Sequence, residues 1–226
     1  MTKSAVRGRH LRERVKTAKK RSLSSTLWLE RQLNDPYVKA AKADGYRSRA
    51  AYKLEELDRR FRLFRRGGRV LDLGAAPGGW TQVAVARIGA ADGKGAVYGL
   101  DLQEIAPIPG ATLFTLDIYA PDALAQIAAH VGDPVDVVLS DMAASATGHA
   151  ATDHIRIMAL AELAFEVATQ VLKPGGAFVA KVLKGGTERE LLNRLKRHFA
   201  TVKHAKPPAS RADSAEAYVV AMAYRI

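Results

Sequence analysis

Cysteine is absent from this sequence of 226 residues, and so are long apolar runs. Without cysteine there is no disulfide bond, no thiolate metal ligand and no mechanism that uses a cysteine nucleophile. Without a long apolar run there is neither a membrane-spanning helix nor the apolar core of a signal peptide. We therefore expect a cytoplasmic protein with no membrane partner. None of the six histidines has neighbours that indicate a metal site, so we expect no metal.

Acidic residues are scarce relative to basic ones. Asp and Glu number 23 against 35 Lys and Arg, which gives a net charge of +12. This balance predicts a polyanionic partner, with RNA or DNA as the first candidates. The excess of basic residues is largest in residues 1–31, which contain ten Lys and Arg and only two acidic residues, Glu13 and Glu30. We expect residues 1–24 to form a basic arm, disordered when free, that neutralises phosphates. The alternative is a tail that only adds solubility.

The rest of the chain is long enough to bury a full core. We predict one domain, residues 25–226, in which a helical preface (25–66) precedes a sheet (67–226), and we expect a monomer. The preface either packs beside the sheet or carries substrate. Its three predicted helices are one capped by Ser24 or Ser25, one over 38–43 and one that starts within 46–53.

From residue 67 onward, strand patterns alternate with helical patterns. This alternation specifies an α/β fold, a Rossmann-like doubly wound sheet that is mostly parallel, with helices on both faces. The short loop around Pro207-Pro208 implies a hairpin, so the last strand is expected to run antiparallel. Thr187 and Glu190 form a predicted capping box for a helix through Phe199. The predicted strands cover 69–71, 96–100, 112–116, 135–140, 177–183, 201–206 and 217–224, and the longest helix covers about 153–172, ended by Lys173-Pro174-Gly175-Gly176.

A glycine-rich stretch follows the first strand: Asp72-Leu73-Gly74-Ala75-Ala76-Pro77-Gly78-Gly79-Trp80. Strand, glycine turn and helix in this order are typical of a nucleotide-binding turn, although a purely structural turn is the alternative. A dinucleotide is disfavoured, because the middle glycine of its motif is Ala76 and because Asp72 would repel a pyrophosphate. S-adenosylmethionine suits the stretch better, since it has no phosphate and its sulfonium and ammonium groups favour carboxylates. The candidate cofactor residues here are Asp72, Gly74, Gly78, Gly79 and Trp80.

Three aspartates each close a predicted parallel strand: Asp101, Asp117 and Asp141. Ligands of open α/β sheets bind outside the carboxyl ends of the strands. An acid after strand two can accept both ribose hydroxyls of S-adenosylmethionine, and one after strand three can face its adenine amino group. Each aspartate alone is more often a turn or cap residue; together with the glycine turn, they indicate cofactor contacts.

Five motifs follow one another along the chain: the glycine turn, Ser48-Arg49-Ala50-Ala51-Tyr52-Lys53, Ser140-Asp141-Met142-Ala143, Val179-Ala180-Lys181-Val182 and Ser214-Ala215-Glu216-Ala217-Tyr218. In this set and order they resemble the RlmE (RrmJ/FtsJ) family of ribosomal RNA 2′-O-methyltransferases, over about residues 25–226. The chain departs from the family after Ala143, where Ala144-Ser145 replaces Pro-Asn and the loop over 146–151 differs.

The resemblance implies a class I methyltransferase fold and S-adenosylmethionine as cofactor. It implies a catalytic tetrad of Lys53, Asp141, Lys181 and Glu216. It also implies one uridine of large-subunit ribosomal RNA as the substrate, modified on the assembled subunit during ribosome biogenesis. The cofactor contacts that it implies are Gly78, Trp80, Asp101, Asp117 and Asp141.

The tetrad residues also stand out by position. Lys181 lies in an apolar strand, and an unpaired ammonium is costly to bury. A lysine that reaches solvent, or a structural ion pair with Asp141 or Glu216, would explain it equally well. In a methyl transfer, Lys181 is the candidate base for a ribose hydroxyl. Burial beside the cation of Lys53 favours loss of its proton and the two carboxylates oppose it; a charged Lys181 would instead orient the hydroxyl and stabilise the alkoxide.

The same residues disfavour other methylation reactions. Cytosine C5 methylation needs a cysteine, and amine methylation normally uses an Asp/Asn-Pro-Pro-aromatic turn where this chain has Ser140-Asp141-Met142-Ala143. Two alternatives stay open: a 2′-O-methyltransferase of transfer RNA, and a non-catalytic RNA-binding factor in ribosome assembly. In the tetrad, Glu216 is expected to hold a lysine, and Lys53 to steer the ribose or its phosphate.

Overall fold

The structure is a computed structural model that describes residues 14–15, 17, 22–144, 147–183 and 188–225. Seven strands form one sheet: β1 (Arg69–Leu73), β2 (Ala96–Asp101), β3 (Ala111–Thr115), β4 (Val135–Ser140), β5 (Leu172–Leu183), β6 (Phe199–Ala205) and β7 (Glu216–Tyr224). The helices are α1 (Leu23–Leu33), α2 (Pro36–Ala43), α3 (Ala50–Phe61), α4 (Gly79–Ile88), α5 (Ala123–Val131), α6 (Ala150–Val171) and α7 (Glu188–His198), with a short 3-10 helix at Ala90–Asp92.

The strand order is β3-β2-β1-β4-β5-β7-β6. Strands β1 to β5 pair in parallel, and β7 lies between β5 and β6, antiparallel to both. This confirms the predicted α/β fold with an antiparallel last strand. The order reverses between β1 and β4, and the crevice at such a reversal is where doubly wound sheets bind ligands. The glycine turn leaves β1 at this crevice.

Alternation along the strands divides the apolar residues between two faces of the sheet. Leu71 and Leu73 belong to the core beneath α5, α6 and α7, whereas Val70 belongs to the core beneath α3 and α4. Every second residue of a strand therefore faces α3 and α4. In β5 these include Val179, and in β7 they include Tyr218 and Val220.

The helical preface packs against the α4 side of the sheet. Asp35 caps the N-terminus of helix α2, and its carboxylate accepts the N–H of Tyr37 at 3.0 Å. The expected cap of the first helix was wrong: Ser22, rather than Ser24 or Ser25, accepts the N–H of Ser25 and caps α1. Most of the basic arm and the Thr187 side of the predicted capping box lie outside the described residues.

Strand ends account for the other differences from prediction. Strand β5 starts at Leu172, directly after α6, because Leu172 already pairs with Val135. The Lys173-Pro174-Gly175-Gly176 stretch does not precede the strand but forms an irregularity within it, where the register shifts. Strand β3 ends at Thr115, so Asp117 lies two residues beyond the strand that it was expected to close. Strand β4 has the predicted bounds, Val135–Ser140. Other boundaries, including β6 at Phe199–Ala205 and α6 at Ala150–Val171, differ from prediction by a few residues.

Candidate active site

The alternation of side chains along β5 and β7 brings the candidate catalytic side chains to one place. Lys181 lies two residues after Val179 and pairs across the ladder with Tyr218, while Leu183 pairs with Glu216. Lys181, Glu216 and Tyr218 therefore share the face that carries α3, at the edge where the parallel strands end. Lys53 reaches the same place from the first turns of α3.

Lys181 is paired with Asp141, the residue directly after β4. Its Nζ lies 2.8 Å from Asp141 Oδ1 and donates to the Asp141 carbonyl oxygen at 2.9 Å. The second carboxylate, Glu216 Oε2, is 3.9 Å away. The side chain of Lys181 is only 10% exposed, so these partners offset the cost of burying its charge. An ion pair with Asp141 or Glu216 was the alternative, structural explanation for a lysine in this strand, and the pair with Asp141 is present.

Lys53 is paired with Glu216, the first residue of β7. The two charged groups are 2.7 Å apart, with side chains 11% and 16% exposed. Lys53 Nζ also donates to the phenol oxygen of Tyr218 at 3.1 Å. Glu216 was expected to hold a lysine. It lies close to Lys53 and farther from Lys181, so the lysine that it holds is Lys53. All four tetrad residues meet in one cluster.

Tyr218 completes the cluster, and sequence reasoning gave it no role. Its ring is fully buried, and its phenol donates to Asp141 Oδ1 at 2.7 Å while accepting from Lys53. The signal that would have found it is the two-residue spacing from Glu216, which puts both side chains on one face of a strand. Burial, and then the carboxylates of Asp141 and Glu216, raise the pKa of Tyr218 well above its ordinary value, so the phenol stays a neutral donor.

The cluster contains two lysines and two carboxylates, and these neighbours shift the pKa of Asp141. Burial by itself would raise the pKa of Asp141. The ammonium groups of Lys181 and Lys53, together with the Tyr218 hydrogen bond, outweigh burial and hold this pKa below its ordinary value. Asp141 is therefore a stable anion beside Lys181.

The glycine turn next to the cluster leaves no room for side chains. Gly74 and Gly78 have φ values of +74° and +114°, which favour glycine. A Cβ at Gly78 would come within 2.7 Å of Ile108 Cδ1, and one at Gly74 within 2.5 Å of Met142 Cγ. A Cβ at Gly79 would collide with the Ser48 hydroxyl. At these three positions a Cβ would meet protein atoms, so close packing within the protein favours glycine there.

Arg47, a residue that sequence reasoning left without a role, ties the preface to this turn. Its guanidinium donates to the carbonyl oxygens of Pro77 at 3.2 Å, Ala106 at 2.6 Å and Pro107 at 2.8 Å. It thereby bridges the glycine turn and the loop after β2.

Two candidate cofactor residues of the turn, Trp80 and Asp72, have side chains that are buried in the protein interior. The Trp80 indole is 3% exposed, donates to the Ala50 carbonyl at 2.8 Å and packs 5.6 Å from the Tyr218 ring. Asp72 is fully buried, with Oδ2 accepting from the Thr81 hydroxyl at 2.7 Å. Its Oδ1 is buried and has no hydrogen-bond partner within the described part of the chain. Burial raises the pKa of Asp72 to about 7, and the nearby carboxylates of Asp141 and Asp101 add to the rise.

The two remaining aspartates lie along the same edge of the sheet. Asp101, the last residue of β2, accepts the N–H of Ala76 at 3.0 Å and the N–H of Gln103 at 2.9 Å, which joins the glycine turn to β2. Asp117 is exposed and accepts the N–H of Tyr119 at 2.9 Å, as in a local turn. Neither is hydrogen-bonded to the tetrad.

This crevice has the chemistry that S-adenosylmethionine requires. An ionised carboxylate has about four acceptor positions, and Asp101 uses two of them, so it retains capacity for a ligand hydroxyl. The anion of Asp141 suits a ligand that carries positive charge. The Asp72 carboxyl is instead fully buried, and its raised pKa keeps it largely uncharged below about pH 7. Within the described residues, no group of three or more His, Asp or Glu side chains is arranged to hold a metal ion. No helix described in the structure is long and apolar enough to cross a membrane.

The profile of the FtsJ-like methyltransferase family matches residues 46–224. The chain belongs to this family. Two curated relatives, both named Ribosomal RNA large subunit methyltransferase E, agree with it over nearly their whole length. The relative from Parvibaculum lavamentivorans is 60% identical, with 96% of this chain and 88% of that protein covered. The relative from Paramagnetospirillum magneticum is 59% identical, with 96% and 90% covered. The predicted family is confirmed.

Solved structures support the FtsJ-like fold. A structure described as a ribosomal RNA methyltransferase from Plasmodium falciparum superposes with a TM-score of 0.69 at 28% identity, covering 79% of this chain and 98% of that chain. The MycE methyltransferase of the mycinamycin pathway, in complex with Mg and SAH, gives a TM-score of 0.52 at 16% identity, covering 89% and 52%. At that identity the second likeness shows the fold alone.

Proposed function

We propose that this protein transfers a methyl group from S-adenosylmethionine to the 2′-oxygen of one uridine ribose in large-subunit ribosomal RNA, acting on the assembled subunit. The observation that carries this proposal is the cluster of Lys53, Asp141, Lys181 and Glu216 beside the glycine turn, in a chain of the FtsJ-like family. The cofactor, when bound, supplies an electrophilic methyl group.

Lys181 is the residue that meets the hydroxyl in this proposal. In its neutral form the amine of Lys181 carries two hydrogens and one lone pair. A carboxylate oxygen and the backbone carbonyl of Asp141 accept the two hydrogens, so the lone pair is left for the ribose hydroxyl. Lys181 orients that hydroxyl and takes its proton as the oxygen–methyl bond forms and the sulfur–methyl bond breaks, which leaves S-adenosylhomocysteine. Methyl transfer is an in-line displacement, so fixing the oxygen in place lowers the barrier substantially.

The other tetrad members hold charges in place. Asp141 anchors Lys181, and Glu216 anchors Lys53 at 2.7 Å. Lys53 is the remaining cation of the cluster and steers the ribose or its phosphate. Tyr218 links the two pairs, because it accepts from Lys53 and donates to Asp141.

The choice of RNA is supported by charge and by the relatives. A net charge of +12 favours a polyanion. The relatives that are 60% and 59% identical are named for methylation of large-subunit ribosomal RNA, and uridine, the 2′-position and the assembled subunit come from the family resemblance of the motifs.

The test is methyl transfer from labelled S-adenosylmethionine to RNA of cells that lack this protein. Assembled large subunits, free ribosomal RNA and transfer RNA are offered separately, and 2′-O-methylation is mapped by resistance of the adjacent phosphodiester to alkali. We expect one modified uridine, on the assembled subunit. Labelled transfer RNA would favour the transfer RNA alternative, and no label on any RNA would favour a non-catalytic assembly factor.

A further inference from the structure

The loop between β6 and β7 reaches into the catalytic cluster through one side chain. Ser210 is 6% exposed, and its hydroxyl donates to Glu216 Oε1 at 3.0 Å. The same oxygen faces Lys53 Nζ at 2.7 Å. A backbone hydrogen bond of 2.8 Å from Ser210 N–H to the Pro207 carbonyl sets the turn that carries the serine.

The helical preface anchors this loop from the other side. The N–H of Ala209 donates to Glu56 of α3 at 2.8 Å, and the Arg49 guanidinium donates to the Ala209 carbonyl. Arg49 in turn is paired with Asp35 at 2.6 Å, and both side chains are largely buried. Contacts therefore run from the start of α2 through Arg49 and the loop to the carboxylate of Glu216.

The hydroxyl of Ser210 affects the position of the Glu216 carboxylate, which lies between the amino groups of Lys53 and Lys181. One carboxylate oxygen is 2.7 Å from Lys53, and the other is 3.9 Å from Lys181. Without the hydrogen bond from Ser210, the Glu216 carboxylate would be able to turn towards Lys181 and form a closer ion pair with it. Lys181 would then keep its proton more tightly, since a second carboxylate favours the charged form of an amine.

We propose that Ser210 is a positioning residue that keeps Glu216 on Lys53 and away from Lys181, so that Asp141 is the single close carboxylate of the base. This inference rests on the proposed methyl transfer and on the role of Lys181 in it. The charged and titratable groups around Glu216 are Lys53 from α3, Lys181 from β5, Asp141 after β4 and its strand neighbour Tyr218.

The experiment measures single-turnover methylation of large ribosomal subunits from acidic to alkaline pH, at saturating S-adenosylmethionine. Ser210→Ala should lower the rate about tenfold at neutral pH, the effect of one hydrogen bond to a charged group. The loss should shrink as the pH rises, because the profile moves to higher pH. Cofactor affinity should stay at the wild-type value, and Ser210→Thr, which keeps the hydroxyl, should restore the wild-type profile.

Ser214→Ala is the matched control. Ser214 lies in the same loop, but its hydroxyl accepts the backbone N–H of Glu216 at 3.1 Å and does not touch the carboxylate. We expect it to leave the pH profile unshifted. If Ser210→Ala does not fold, Ser210→Cys, a weaker donor of similar size, carries the same comparison. An unshifted profile in an active Ser210→Ala protein overturns the inference, whereas a wild-type protein that methylates no RNA overturns the proposed function instead.

Discussion

The phenol of Tyr218 donates a 2.7 Å hydrogen bond to Asp141 Oδ1, the same oxygen that lies 2.8 Å from Lys181. One carboxylate oxygen is therefore shared by a neutral donor and a cation. Because Tyr218 also accepts from Lys53, the two lysine–carboxylate pairs form one connected network rather than two separate ion pairs. Networks of this kind in a low-dielectric site fix the geometry of all their members.

Tyr218→Phe should loosen this network without removing any charge. The pKa of Asp141, which the phenol helps to hold down, should rise towards its ordinary value. We expect a fall in free energy of unfolding of about 1.5–3 kcal/mol, as for other hydrogen bonds to charged groups, and a lower rate of methyl transfer. Denaturant titration and single-turnover kinetics measure the two. Tyr98→Phe, which removes a phenol that accepts a hydrogen bond from Arg69 at the start of β1, is the control, and equal rates for both variants would contradict the network.

Asp101→Ala should weaken binding of S-adenosylmethionine and S-adenosylhomocysteine. The carboxylate both fixes the glycine turn through Ala76 and retains acceptor capacity for a ligand hydroxyl. We expect a loss of about tenfold or more in calorimetric affinity, the size of one charge-assisted hydrogen bond. Asp133→Ala, which removes an exposed aspartate, is the control. Unchanged affinity, or tight binding of NAD in place of S-adenosylmethionine, would remove Asp101 from the cofactor site.

Asp72→Asn should change how stability depends on pH. The folded-state pKa of about 7 lies above the ordinary value, so the folded protein keeps a proton that the unfolded chain has already lost. Wild-type stability therefore falls as the pH rises from about 4 towards about 7, by at most about 1.4 kcal/mol per pH unit from this group. Asparagine does not ionise and can still accept from Thr81.

The measurement is the difference in free energy of unfolding between Asp72→Asn and wild type at an acidic and at an alkaline pH. Any constant cost of burying the amide cancels in this comparison. We expect the variant to gain relative to wild type as the pH rises. A difference that does not change with pH would mean that Asp72 is ionised throughout.

Deletion of residues 1–21 should weaken RNA binding. This deletion retains Ser22, which caps α1, and removes nine Lys and Arg against one Glu. Each lost phosphate contact lowers the slope of log affinity against log salt by about 0.7–0.9. Affinity for large-subunit RNA should fall and become less dependent on salt, while cofactor affinity stays unchanged. If the affinity and its salt slope both match the full chain, the segment is only a tail.

Much of the fold followed from sequence because local signals agree with the tertiary structure. The alternation of strands and helices and the Pro207-Pro208 hairpin gave the sheet and its antiparallel last strand. The start of β5 was missed because proline and glycine in Lys173-Pro174-Gly175-Gly176 favour a turn locally, whereas pairing of Leu172 with Val135 extends the ladder across them.

The site was less predictable than the fold. Lys181 stood out because a lysine is rare in an apolar strand, and Asp141 because it closes a strand. Glu216 was singled out by the family resemblance, and the partners of all three depend on register. Only the pairing of Lys181 with Tyr218 and of Leu183 with Glu216 decides which carboxylate meets which lysine. Arg47 acts through contacts with residues 30 to 60 positions away. The loop of Ser210 is anchored by Arg49 and Glu56, about 150 to 160 positions away, and no local pattern encodes such contacts.

Lys181→Arg puts the general base itself to the test. Arginine keeps the positive charge and can pair with Asp141, but its guanidinium is always protonated and cannot accept a proton. If Lys181 takes the proton of the ribose hydroxyl, this variant should be nearly as inactive as Lys181→Ala, with losses of about a hundredfold or more. Both variants should fold and bind S-adenosylmethionine, because Lys181 acts on the hydroxyl rather than on the cofactor.

Lys173→Arg, which changes a lysine of the same strand at its far end, is the matched control. Single-turnover methylation of large subunits across pH, with cofactor affinity measured separately, distinguishes the two roles. Near-normal activity of Lys181→Arg would show that a fixed positive charge is sufficient, and Lys181 would then be a group that orients the ribose and stabilises the alkoxide.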